Sequence, residues 1–144
     1  MVASKAGGRP GQWVWGWVTY PWYTLYQALT SVAEGLLAVE SRPELESEPG
    51  EAGTQHIMAF GRFVQGLSHG SLALLYDRGV VPDEEVAHDE TGRQREMLSY
   101  DDLMARALSE LEETAALAQG KSWEIPAEWT TVPVSADQLA RIRQ

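Results

Sequence analysis

The sequence contains no cysteine among its 144 residues. This absence excludes disulfide bonds, thiolate nucleophiles and metal sites that use cysteine ligands. Basic residues are also scarce, since 11 Lys and Arg against 21 Asp and Glu give a net charge of −10. An acidic surface repels phosphate backbones, so we expect no nucleic-acid partner.

Long apolar runs and common catalytic motifs are missing as well. No apolar stretch approaches the roughly 20 residues that span a bilayer. The aromatic stretch from Trp13 to Trp22 is broken by Gly16 and Pro21 and does not form the core of a signal peptide. The sequence has no G-x-S-x-G, no P-loop and no G-x-G-x-x-G motif. We therefore expect no membrane partner and a cytoplasmic location, and no motif assigns an enzyme activity.

The sequence does contain three well-marked helical patterns. Apolar residues recur at steps of three and four residues, which places them on one side of a helix. The patterns predict helices near residues 20–42, 55–78 and 99–119. We therefore expect an all-α fold with one helical-bundle domain over residues 1–144, in which residues 1–12 form a flexible tail.

The second and third helices carry the stripes on which the core prediction depends. The second stripe consists of Ile57, Phe60, Val64, Leu67, Ser71 and Leu74, and the third consists of Met104, Leu108, Leu111, Ala115 and Ala118. Leu67 and Leu108 lie near the middle of these stripes, so we expect both to be buried. Replacing either with Ala is then expected to cost about 2–5 kcal/mol. Glu110, Glu112 and Glu113 lie off the third stripe and are expected to face water.

Helix-end signals support these boundaries. Pro21 suits the first turn of a helix. Proline has no backbone N–H, and an N–H in the first turn would have no acceptor within the helix. Arg78 and Gly79 are typical of a helix end. Ser99 and Asp102 resemble a capping box at the start of the third helix.

Trp13, Trp15 and Trp17 alternate with smaller residues. A period of two predicts an extended segment with all three indoles on one side. Base stacking and sugar binding are functional interpretations of such a segment. We favour a structural one, in which the rings fill a groove of the bundle, because the acidic charge argues against nucleic acid.

Two links separate the three helices. Residues 43–53 are acidic and rich in Pro and Gly, which predicts a surface connection between antiparallel helices. The link from residue 80 to 98 is long enough to run the length of a bundle, so the second and third helices can be parallel. It carries His88 among carboxylates that would attract a cation, although a solvated loop is the simpler interpretation.

The last ten residues predict a short fourth helix. Ser135 and Gln138 form a capping box, and Val134 and Leu139 form the matching hydrophobic staple. About nine residues cover only about 14 Å of a groove roughly 30 Å long. We therefore expect a homodimer in which a second copy covers the rest of the groove. The alternative is that the segment from Trp13 to Trp22 covers it.

Three long helices, the long second and third connections, and the phrases FVQGLSHGSLALLYDRG and LSYDDLMARALSELEETAALAQG resemble the DinB-like (YfiT-like) superfamily. This resemblance implies a four-helix bundle with up-down-down-up topology, here with a shortened fourth helix. It also implies a divalent metal as cofactor, a metal-dependent hydrolase or thiol S-transferase activity, and a homodimer. His69 in GLSHGSL matches the helix-2 metal ligand of the family.

The chain departs from the family pattern at the other metal ligands. The family's helix-4 pair H-x-x-x-H is absent, and the chain's histidines are His56, His69 and His88. His56 is roughly 20 Å from His69 along a straight helix, so the two cannot share a metal. His69 is either a metal ligand or a residue that hydrogen-bonds at the edge of the core. Two functions stay open: a DinB-like enzyme, and a non-catalytic bundle that dimerises or binds a small-molecule ligand.

Overall fold

The computed structural model describes residues 10–42, 54–82 and 97–142, with side chains described from residue 18 onward. Most of this part is helical, which confirms the all-α prediction. The helices are α1 (Pro10–Glu40), α2 (Gln55–Leu75), α3 (Tyr100–Ala118), α4 (Ala127–Thr130) and α5 (Ala136–Ala140). The strands are two residues each: β1 (Arg78–Gly79), β2 (Leu98–Ser99), β3 (Glu124–Ile125) and β4 (Val134–Ser135). None of the described helices has both the length and the apolar character needed to cross a membrane.

Several sequence predictions fall on residues outside this part. They are the tail before residue 10, the link over residues 43–53, and His88 with its acidic neighbours in residues 83–96.

The first helix begins earlier than predicted. α1 starts at Pro10 and continues through Trp13, Trp15, Trp17 and Pro21. The predicted extended segment was therefore wrong, and residues 10–12 belong to α1. An alternation over five residues is too short to distinguish an extended strand, with its period of two, from a helix. Pro21 removes one backbone hydrogen bond, and the remaining bonds of a 31-residue helix maintain it through that position.

α1 packs against α2 in the opposite direction. Leu29, Ala33 and Leu36 of α1 are buried. A Cβ atom at Gly61 would lie 2.6 Å from Leu36 Cδ2, so this helix pair is closest where α2 has no side chain. Near the other end of the pair, the Trp22 and Tyr76 ring centroids are 4.8 Å apart.

Gly79 has a different role from the predicted helix end. α2 already ends at Leu75, and Gly79 belongs to β1. A Cβ atom at Gly79 would lie 2.8 Å from Tyr26 Oη and 3.0 Å from Leu103 Cδ1. Glycine fits this position because the backbone passes directly against two side chains.

The second and third long helices are antiparallel. β1 pairs with β2 in antiparallel register, so the chain enters and leaves the connection between α2 and α3 at the same end. From Ala59 to Gly70 along α2, the partners on α3 run backwards from Thr114 to Ala107. The predicted up-down-down-up order is therefore wrong for these helices. A 19-residue link permits either direction, and the strand pairing selects the antiparallel one.

The buried face of α2 is not the predicted stripe. The residues buried on it are small or polar, apart from one leucine: Ala59, Gly61, Gln65, Gly66, Ser68, His69, Leu72 and Ala73. Leu67 is 49% exposed and Leu108 is 56% exposed, so the expectation that both are buried was wrong. A Cβ atom at Gly66 would lie 2.7 Å from Leu111 Cγ. Small residues allow this close approach, and the large ones are left to the outer side.

The C-terminal segment packs on one end of the α2–α3 pair. α5 begins with the predicted capping box, in which Ser135 accepts from the Gln138 backbone N–H and the Gln138 side chain accepts from the Ser135 N–H. β3 pairs with β4 and brings α5 back to the bundle. The core cluster there consists of Ala59, Ala118, Ile125, Ala136 and Leu139.

Tyr26 connects the α1–α2 pair to the chain after β1, and its ionisation makes stability pH-dependent. Its hydroxyl oxygen accepts from the Val80 N–H at 2.6 Å. Burial raises the pKa of Tyr26 above its usual value of 10.0, although the Val80 bond acts in the opposite direction. The folded state therefore holds this proton more tightly than the unfolded chain, and stability falls as the pH rises from about 10 towards the raised pKa.

We expect Tyr26→Phe to lower the free energy of unfolding by about 1 kcal/mol at neutral pH, because the Val80 N–H loses its acceptor. Above pH 10 the variant should lose stability less steeply than the wild type. Urea unfolding at a series of pH values measures both effects. Parallel curves above pH 10 would contradict the role given to Tyr26.

A buried polar seam and an exposed apolar patch form the candidate functional site

His69 lies in the interface between α2 and α3 and is fully buried. The sequence placed it at the edge of the core. The structure places it in the middle of the helix pair, because α2 meets α3 along its small-residue side. Gly66 and Gly70, on either side of His69 in the sequence, both face α3.

His69 is bound to a carboxylate of the opposite helix. Its Nδ1 lies 2.7 Å from Glu110 Oε2, and the other carboxylate oxygen accepts from Arg106 Nε at 2.8 Å. Glu110 is 2% exposed, although the sequence predicted that it faces water. Arg106 is one turn before Glu110, so α3 itself supplies the cation that balances the buried carboxylate.

The contact with Glu110 determines which nitrogen of His69 carries a proton. An ionised carboxylate only accepts hydrogen bonds, so Nδ1–H must be the donor. The buried Nε2 atom has no hydrogen-bond partner among the described residues. Within the same part of the chain, no group of three or more His, Cys, Asp or Glu residues is arranged to hold a metal ion.

Further polar contacts extend along the same helix pair. Arg62 donates to Gln65 Oε1 at 2.9 Å and forms salt bridges with Glu113 at 3.3 Å and with Glu40 of α1 at 3.8 Å. Thr114 donates to the Glu110 carbonyl oxygen at 2.9 Å. We call these residues the polar seam: Arg62, Gln65, His69, Arg106, Glu110, Glu113 and Thr114. Two of the seam contacts, His69 with Glu110 and Arg62 with Glu113, cross between α2 and α3 and tie the two helices together.

Among the described residues, His56 is the other histidine, and it is not brought to the seam. His56 lies in the first turn of α2, where its ring stacks on Trp129 with centroids 6.0 Å apart and lies 6.4 Å from the Trp123 ring. Through these contacts Trp123 and Trp129 hold the C-terminal segment against the start of α2.

An exposed apolar patch lies across the same two helices. It consists of Leu67 and Leu74 of α2 and Leu108 of α3, which are 49%, 73% and 56% exposed. Leu67 follows Gly66 and Leu108 follows Ala107, and Gly66 faces Ala107 across the pair. The next residue along a helix points about 100° away from the one before it. In two antiparallel helices, the residues that follow a facing pair therefore point to the same side of the helix pair. The three leucines therefore share one face, which we call the α2–α3 patch.

The α2–α3 patch lies in a long uncharged part of the chain. From residue 63 to residue 75, α2 contains no Lys, Arg, Asp or Glu, in a protein whose residues are 22% charged. His69 is the one titratable residue of this stretch, and it is buried. A helix that lacks charged residues all round is typically covered by other protein surfaces on its outer side as well as on its inner side.

Sequence reasoning missed Glu110 and Arg106 as partners of His69. Their i,i+4 spacing is visible in the sequence and indicates a helical ion pair. Nothing in the sequence indicates that this pair faces inwards. The apolar residues of α3 predict that another side of the helix is buried in the core.

A scan of the chain against protein-family models, a search of curated proteins and a search of solved structures found no match.

Proposed function

We propose that this protein is a non-catalytic helical module that forms a homodimer through the α2–α3 patch. The observation that supports the proposal is the exposure of Leu67, Leu74 and Leu108 on one face, where α2 carries no charged residue. Isolated apolar residues on a surface are ordinary, whereas a group of large ones on adjacent helices is typical of an interaction site.

The length of α5 explains why this face is open. α5 has five residues and packs at the end of the pair near Ala59 and Ala118. It spans about 8 Å, so the turns of α2 and α3 that carry the patch lie beyond it. A longer helix in this place would cover the patch within one chain.

A second copy is the partner that fits the charge of the protein. The chain carries a net charge of −10, so copies repel one another over most contacts. The outward residues of α2 next to the patch, Ser71 and Leu75, are uncharged. Contact of the patch with itself around a two-fold axis therefore brings hydrophobic residues together without opposing two charged residues of α2.

Sedimentation of the full chain tests this proposal. At tens of micromolar, we expect a species near twice the 15.9 kDa of one chain. Leu108→Glu should weaken the dimer at least tenfold, because it buries a carboxylate without a partner. The matched control is Val132→Glu, which replaces an exposed apolar residue (62%) in the C-terminal segment, away from the patch. A monomeric wild type, or equal weakening by both variants, would reject the proposal.

A DinB-like metal protein is the second candidate function, and one observation favours it. His69 donates from Nδ1 to a carboxylate and keeps Nε2 without a described partner, as metal-bound histidines commonly do. The described residues do not by themselves fit a site with three protein ligands, because Glu110 is engaged and His56 lies elsewhere. We therefore derive no chemical step through a metal.

Elemental analysis distinguishes the two functions. Protein purified without a histidine tag should contain near-stoichiometric divalent metal if the second function applies, and His69→Gln should remove it. Protein without metal that still dimerises would leave the first function as the one supported.

A further inference from the structure

A groove lined by aromatic rings lies where the N-terminal half of α1 meets the end of α2. Its lining residues are Val18, Thr19, Trp22, Tyr23 and Tyr76, and its volume is about 310 Å³. This volume is at the lower end of the range of small-molecule sites, roughly 300–1,000 Å³. The groove opens to solvent, and none of its lining residues belongs to the polar seam or to the α2–α3 patch.

Two of the three aromatic rings that line the groove, Trp22 and Tyr76, are held in fixed positions. The Trp22 and Tyr76 rings meet edge to face, with an interplanar angle of 85°. Tyr26 packs against Trp22 with ring centroids 4.7 Å apart. The Tyr76 hydroxyl donates to the Val18 carbonyl oxygen, which joins the two helices across the groove. A ligand therefore meets rings that already have their orientation, which lowers the entropy cost of binding.

The polar groups of the groove favour one ligand class. The Tyr76 hydroxyl proton is already donated to Val18, and Thr19 also has an interaction partner. A sugar or an anion needs several donors, and this lining provides few. A quaternary ammonium group needs none, because it has no N–H and its charge is spread over its methyl groups. Aromatic faces attract such a cation through their negative π-electron density.

We propose that this groove binds an organic cation with a quaternary ammonium head. Three of the five lining residues are aromatic, and none carries a positive charge. The net charge of −10 raises the local concentration of cations around the protein. The head contacts Trp22, Tyr23 and Tyr76, and the groove is large enough for part of the chain attached to it. This inference is independent of dimerisation, since it uses other residues.

Isothermal titration calorimetry with choline tests the proposal on the full chain. We expect saturable binding of one choline per chain. The neutral analogue 3,3-dimethylbutan-1-ol has the same shape without the charge, and it should bind about 3- to 30-fold more weakly. Equal binding of both molecules would show a merely apolar groove and overturn the proposal, as would the absence of choline binding.

Two exposed tyrosines provide a matched pair of variants. Tyr23 lines the groove and is 72% exposed, whereas Tyr20 is one turn earlier on α1, 74% exposed, and outside the groove. Tyr23→Ala should weaken choline binding about 3- to 30-fold, since it removes one ring. Tyr20→Ala should leave it unchanged. Because both side chains are mostly in water, neither change threatens the fold. Equal effects of the two variants would place the cation elsewhere and reject the inference.

Discussion

Replacing Glu110 with Ala is expected to lower the free energy of unfolding by about 3–5 kcal/mol. Glu110 accepts from His69 and from Arg106 inside the α2–α3 interface. Its removal leaves the buried His69 Nδ1–H without this acceptor and removes the salt bridge between Glu110 and Arg106. Urea unfolding followed by circular dichroism measures the loss.

Glu112→Ala is the matched control for this experiment. Glu112 lies on the same helix two residues later, and its side chain is exposed. Its removal should cost less than about 1 kcal/mol, as is usual for surface charges. A double-mutant cycle with His69→Ala should then give a coupling of about 1–3 kcal/mol between His69 and Glu110. A loss below about 1 kcal/mol for Glu110→Ala would mean that the seam does not support the fold.

Leu72→Ala is expected to cost about 2–5 kcal/mol, because it opens a cavity in the core. Leu72 has no exposed surface and is one of the few large side chains on the buried face of α2. The loss should appear in the chemical-denaturation midpoint, with little change in the slope of the transition.

The control for Leu72 is the same substitution three residues later. Leu75 is 58% exposed, so Leu75→Ala should cost well under half as much. Equal losses for the two variants would mean that the buried and exposed sides of α2 are wrongly assigned. Leu67→Ala is less suitable as a control, since Leu67 also belongs to the proposed dimer face.

The capped starts of α3 and α5 were the features of the fold that the sequence predicted best. Ser99 caps α3 by accepting from the Asp102 N–H, and Ser135 with Gln138 caps α5, both as predicted. Caps are local, because they depend on residues within one turn of each other. The start of α1 was missed because the start signal at Pro21 lies inside a longer helix.

The buried side of α2 is the point at which sequence reasoning failed. The stripe through Leu67 and Leu74 has the period of a helix, and the period correctly predicted the helix. It does not say which side meets the neighbours. The predicted stripe contains no glycine, yet Gly66 and Gly70 are where α3 approaches. His69 and Glu110 are buried for the same reason.

The sequence by itself therefore determined what depends on neighbouring residues: the all-α class, the second and third long helices and the two capped helix starts. The tertiary structure decided what depends on residues far apart in the chain. Pairing of Arg78 with Ser99 made α2 and α3 antiparallel. Close contact at Gly66 turned the small side of α2 inwards, which buried His69 with Glu110 and left Leu67 and Leu108 outside. Helical periodicity describes one helix, whereas burial depends on the shapes of two.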